Sequence, residues 1–179
     1  VLTESILFGY QYKVKNNIRN SIRERNPTLY IAEHETMQTY KYPMQSVQFI
    51  AKFEYLDEIR EFVGEIARAG GFGPKDVDNI RLAADEAVSN IIEHAYEGVK
   101  NGMLEISCAV KDGAITIIMV DYGESFDSSA IPLPDLKADL SERKVGGLGI
   151  FLMRKLMDEV HYEPKPDKSN VLTMIKRKR

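Results

Sequence analysis

The sequence predicts an α+β fold: a two-layer sandwich whose mixed, mostly antiparallel sheet carries helices on one face. Three observations lead there. Apolar residues alternate at period two in some segments and recur at three- and four-residue spacing in others. A tight hairpin signal joins two of the alternating segments. The remaining helical and extended segments mix without the regular alternation of a parallel sheet.

The elements follow in order. Val47, Phe49, Ala51 and Phe53 alternate with polar residues, which predicts a half-buried strand. Leu56, Ile59, Val63 and Ile66 keep helical spacing, and Gly70-Gly71 supplies a stop. A second helix is expected from Pro74 to Tyr96, with proline in the first turn. Leu104, Ile106, Cys108 and Val110 alternate as a strand, Asp112-Gly113 is the hairpin turn, and Ala114 to Asp121 reads as a more fully apolar strand. A loop from Tyr122 to Val145 precedes a helix from Leu148 to Asp158 and two strands, Glu159 to Tyr162 and Val171 to Lys176. This regular region, residues 44–179, is expected to form one domain. Residues 1–43 read as an N-terminal extension or the tail of an upstream region, with an apolar-aromatic patch at Ile6 to Tyr12. Val14, Ile18 and Ile22 there suit a short amphipathic helix. The chain opens on Val1, in keeping with a piece of something longer.

Composition bounds the function. The 179 residues are 44% hydrophobic and 28% charged, enough apolar matter for one core. A net charge of −3 argues against coating nucleic acid or an anionic membrane. The basic run Lys176 to Arg179 is the local exception. The longest apolar stretch, Ala114 to Val120, falls well short of the roughly 20 residues needed to cross a bilayer. The single cysteine, Cys108, excludes an internal disulfide framework and points to a reducing compartment. With no charged leader visible, the expected location is the cytoplasm.

Three segments carry candidate chemistry. On the second helix Glu86, Asn90 and His94 form a row beside the buried stripe of Ile80, Ala84, Ala87, Ile91 and Ala95. A carboxylate and a carboxamide one turn apart can meet one ligand together. The amide oxygen suits Mg²⁺, and the glutamate suits a base. The same pair also fits a solvated helix flank. Asp121 ends an apolar strand and Gly123 follows, which puts a carboxylate where backbone can approach a ligand, or caps a turn. Such a carboxylate accepts from an exocyclic amine like that of adenine. Gly146-Gly147-Leu148-Gly149 opens the helix that continues from Ile150, as a phosphate-facing amide cluster or as a hinge.

In order and spacing, these three resemble the GHKL nucleotide-binding (Bergerat) superfamily of gyrase, MutL and histidine-kinase ATPase domains. The wording DEAVSNIIEHAY, DYGESFD and GGLGIFLMRKLMDEV is similar to the RsbW/SpoIIAB-type anti-sigma-factor serine/threonine kinases, over about Phe49 to Ile175. The resemblance implies ATP and Mg²⁺ as cofactors. It implies Glu86 as the catalytic carboxylate, Asn90 as the Mg²⁺ ligand, Asp121 as the reader of adenine and Gly123 as the glycine that admits the base. Gly146, Gly147, Leu148 and Gly149 stand on the phosphate side. Residues 128–145 take the place of the ATP lid, with Arg143 and Lys144 near its end to offset γ-phosphate charge. Thr173 is expected near the adenine pocket. By the same resemblance the partners are a sigma factor and a STAS-type antagonist, with the chain as a homodimer and neither nucleic acid nor membrane bound. Three rivals stay open: a switch kinase of stressosome-type STAS scaffolds, a nucleotide-gated binding module without transfer, and the ATPase half of a histidine kinase. His94 reads as a hydrogen-bonded helix residue, Met153 and Met157 as core fillers, and Cys108 as a small buried apolar side chain.

Overall fold

The computed structural model describes residues 44–125 and 148–179, and the account below is of these. Strand β1 (Gln45–Ile50) leads through a 3₁₀ turn (Phe53–Tyr55) into helix α1 (Leu56–Ala69) and helix α2 (Pro74–Asn90), which runs on into a π turn (Ile91–Ala95). Strands β2 (Met103–Lys111) and β3 (Ala114–Asp121) follow, then helix α3 (Leu148–Leu156) and strands β4 (Glu159–Pro164) and β5 (Asn170–Arg177). The five strands lie in the order β1-β2-β3-β5-β4. All four pairings are antiparallel, so the sheet among the described residues is purely antiparallel rather than mixed.

Local chemistry explains the breaks. Asp112 (φ 48°) and Gly113 (φ 75°) make the two-residue β2–β3 turn that the sequence signalled, with both residues left-handed. At the end of α1 the Gly71 amide donates to Arg68 and the Phe72 amide to Ala67, while Gly71 takes φ 77°. That is a Schellman ending, sealed by the buried ring of Phe72. Pro74 begins α2 at its first turn, where its missing N–H costs nothing. Two expectations are corrected at element ends. The alternation of β1 stops before Phe53, which sits in the 3₁₀ turn and is 50% exposed: Ala51 makes a last in-register bond to Gly102, and the Lys52 amide then turns back to the Ile50 carbonyl. The last helix ends at Leu156 rather than Asp158. The Val14–Ile22 segment lies outside the described residues.

Every strand turns one face to the helices. Phe49, Leu104, Ile106, Ile117, Met119 and Met174 are fully buried there, against Val63 and Ile80 among the helical residues. Burial of each large side chain contributes roughly 1.5–3 kcal/mol. Helices α1 and α2 approach closely at Gly64, where an added Cβ would stand 2.3 Å from Arg81 Nε. Behind the same pair, Arg60 Nε donates to Asp85 Oδ2 at 2.8 Å. Lys176, buried on β5, donates to the Leu156 carbonyl at the end of α3, where the helix dipole favours a cation. Among the described residues no helix is long and apolar enough to cross a membrane.

Candidate active site

Helix α2 presents two adjacent carboxylates, and packing separates their roles. Asp85 faces α1 and is held by Arg60, while Glu86 faces α3. A Cβ on Gly149 would stand 2.8 Å from Glu86 Oε2, 3.1 Å from Asn90 Nδ2 and 3.3 Å from Asn90 Oδ1. The start of α3 therefore rests directly on the carboxylate and the carboxamide, and any side chain at 149 would have to displace them. Asn90 Nδ2 is buried with no hydrogen-bond partner among the described residues, an orphan donor that a ligand would satisfy. Burial raises the Glu86 carboxyl above its ordinary range, and the charges of Asp85 and Glu93 add to the effect. A carboxylate so placed is a stronger proton acceptor than a solvated one.

Helix geometry changes just after Asn90. The Tyr96 amide reaches back five residues to Ile91, 3.0 Å away, and closes the π turn. Such widenings recur at functional sites. His94 lies within this turn and is exposed. The turn also offers the Ala95 carbonyl to the chain after β3: the Glu124 amide donates to it at 2.8 Å. A Cβ on Gly123 would lie 2.2 Å from that same oxygen. Glycine at 123 is thus required by contact with the helix end.

Asp121 ends β3 and is 3% exposed. Its Oδ1 accepts from the Gly123 amide at 2.9 Å and from Asn170 Nδ2 at 2.8 Å; Oδ2 takes part in neither bond. Asn170 is itself fixed, donating to the Gly123 carbonyl and accepting from Ser125 Oγ. Burial pushes the Asp121 carboxyl up, opposed by the Asn170 and Gly123 hydrogen bonds. Asn90 and Asp121 both line a cleft, partly open to solvent, walled by Ile150, Met153, Tyr162 and Leu172. Apolar walls with one buried acceptor suit a flat heterocycle bearing an amino group.

The structure brings together Glu86, Asn90, Asp121, Gly123 and Gly149, with Leu148 exposed at the first residue of α3. Gly146, Gly147, Arg143 and Lys144 lie outside the described residues. Thr173 does not join the group. It pairs with Ile118 on β3, whereas Asp121 pairs with Asn170, three residues away on β5. An odd step along a strand reverses the face, so Thr173 stands on the side of the sheet away from the helices. The β5 residue at Asp121 is Asn170, on the buried face with Leu172, Met174 and Lys176; the letters alone carry no signal for it, because Val171 and Ile175 alternate as apolar residues on the other face. Cys108 is buried, and burial pushes its thiol up, away from reactivity. Among the described residues no His, Cys, Asp and Glu cluster is suited to holding a metal on its own.

Comparison with known proteins agrees with this geometry. The histidine kinase-like ATPase domain family matches residues 49–176. A curated serine-protein kinase RsbW of Halalkalibacterium halodurans is 36% identical over 131 residues, covering 70% of this chain and 78% of the relative. The RsbW of Bacillus licheniformis is 32% identical over 117 residues, with 63% and 73% covered. That of Listeria monocytogenes is 30% identical over 119 residues, with 64% and 76% covered. Among solved structures, the RsbU and RsbW domains of a Mycobacterium tuberculosis protein superpose with a TM-score of 0.53 at 19% identity, a likeness of fold. That match takes in 76% of this chain and 32% of the longer one. The matched span contains the whole Glu86–Asn90–Asp121–Gly149 constellation, and the chain belongs to the histidine kinase-like ATPase family, as a serine-protein kinase of the RsbW type.

Proposed function

We propose that this kinase binds a sigma factor and transfers the γ-phosphoryl group of ATP to a serine of a STAS-type antagonist, working in the cytoplasm as a homodimer. The observation that carries the reading is the seating of Gly149 on Glu86 and Asn90, beside a cleft that Asp121 closes. Asp121 accepts from the adenine amine through Oδ2, while Ile150, Met153 and Leu172 enclose the ring. The Asn90 carboxamide fits Mg²⁺. It has a hard oxygen and lies in a partly buried site beside the cleft. Asn90 would hold the ion together with the nucleotide's own phosphates. Bound there, Mg²⁺ neutralises phosphate charge.

Glu86 takes the proton from the acceptor serine as its Oγ attacks the γ-phosphorus and the bond to the ADP oxygen breaks. The amide nitrogens at the start of α3 face the phosphates with the positive end of the helix dipole. Labelled ATP incubated with the chain and candidate STAS proteins tests the reading: acid-stable label on the STAS serine is expected, and Glu86→Ala should bind nucleotide without transferring. Binding of the STAS protein with no transfer would leave a nucleotide-gated module instead. Transfer only to scaffold STAS proteins, with no sigma factor retained in a pull-down, would indicate a switch kinase.

A further inference from the structure

We infer that Tyr96 is a positioning residue for nucleotide selection, because its hydroxyl fixes where β3 ends and so where Asp121 points. The inference rests on the reading of Asp121 as the adenine acceptor. Tyr96 closes the π turn that begins one residue after Asn90, and the residue is 6% exposed. Its hydroxyl donates to the Met103 carbonyl at 2.7 Å and accepts from the Tyr122 amide at 2.8 Å. The β2–β3 register pairs Leu104 with Asp121, so Met103 and Tyr122 would form the next step of the ladder. The hydroxyl stands between them as a bridge, and the ladder stops at Asp121.

The ring is held as firmly as the hydroxyl. A Cβ on Gly102 would meet Tyr96 ring carbons at 2.5 Å, so the ring lies flush on the backbone that leads into β2. Beyond Tyr122 the chain turns at once. Gly123 donates to Asp121 Oδ1, and Glu124 donates to Ala95 next to Tyr96. One helix end therefore fixes both sides of the cleft: Asn90 precedes the π turn, and Tyr96 and Ala95 at its close anchor the segment that orients Asp121. Without the hydroxyl the Tyr122 amide and the Met103 carbonyl lose their bridge, and the segment that orients Asp121 keeps only the Gly123 and Asn170 bonds and the strand pairing to set its direction relative to Asn90.

Adenine presents an amino group where guanine presents a carbonyl oxygen. A fixed carboxylate favours the first and repels the second, so selection depends on where Asp121 points. The test compares fluorescent mant-ADP and mant-GDP affinities for the full chain and its Tyr96→Phe variant, with melting temperatures measured alongside. Tyr96→Phe keeps the ring and should lower the adenine-over-guanine preference about tenfold, by weakening mant-ADP rather than mant-GDP. Gly102→Ala, which pushes on the ring from outside the cleft, should lower the preference in the same direction. If Tyr96→Phe keeps the wild-type preference, weakens both nucleotides equally, or unfolds, the hydroxyl is structural only and the inference falls. If wild type itself does not prefer mant-ADP, the Asp121 reading fails first.

Discussion

Replacing Gly149 with alanine separates catalysis from stability. The new Cβ would approach Glu86 Oε2 to 2.8 Å, short of ordinary 3.4 Å contact by about 0.6 Å, and would crowd Asn90 Nδ2 at 3.1 Å. The atom that must yield first is the free end of a flexible side chain, so the carboxylate moves and the backbone stays. The fold loses little, because alanine in a helix is up to about 1 kcal/mol better than glycine and offsets the crowding. Catalysis loses more. A general base contributes about 10²–10⁴-fold, and a misplacement near 1 Å costs up to about 10²-fold. We expect kcat for serine phosphorylation to fall roughly ten- to a hundredfold, with KM for ATP rising only a few-fold through Asn90. The free energy of unfolding should stay within about 1 kcal/mol of wild type. The assay is transfer of label from ATP to the serine acceptor at saturating Mg²⁺, run beside thermal unfolding of the same preparations. Wild-type transfer by Gly149→Ala, or loss of transfer only in step with unfolding, would refute the contact as catalytic.

Asp121→Asn should cost nucleotide affinity without costing stability. The new carbonyl oxygen still accepts from Gly123 and Asn170, no charge is buried, and only the acceptor for adenine is lost, so mant-ADP binding should weaken while the melting point holds or rises. The raised Asp121 carboxyl also fixes the sign of the pH dependence. The folded chain holds that proton more tightly than the unfolded one, so stability declines as pH rises from 3.8 through the raised value and is level above it; Asp121→Asn should lessen the decline in urea titrations. Transfer should fail on acidification at a pH above the ordinary glutamate value of 4.5, because Glu86 must be deprotonated to accept a proton; a pH profile locates that limb, and Glu86→Gln should bind ATP yet transfer little at any pH. Asn170→Ala removes the donor to Asp121 and the link to Ser125, and should weaken mant-ADP about tenfold by titration with loss of about 1–3 kcal/mol in stability.

The sequence by itself determined the order of the elements and named most of the candidate residues that the structure brings together. Period-two and period-3.6 patterns depend only on which face of a local element meets the core, so β2, β3 and α1 were legible residue by residue. The turn at Asp112-Gly113 and the stop at Gly70-Gly71 were legible for the same reason: left-handed backbone is written in the glycines. Glu86, Asn90, Asp121 and Gly149 were found as motif positions, since their chemistry needs particular residue types at fixed spacing.

What the tertiary structure decided is what lies between elements. The row with Asn90 singled out Glu86 in the sequence, but only the packing of α1 on α2 gives Asp85 to Arg60 and only the packing of α3 sets Glu86 against Gly149. Only the β3–β5 register exchanges Thr173 for Asn170, because a hydroxyl on the last strand is useful on one face and remote on the other. The π turn is invisible to periodicity, since a single widened turn arises from what the helix end must contact. Gly123 was read as room for a ligand, and the structure adds a second demand, contact with the Ala95 carbonyl. Sequence records which residues can do the chemistry, but their aim depends on close packing between segments far apart in the chain, and those distances appear only once the layers meet.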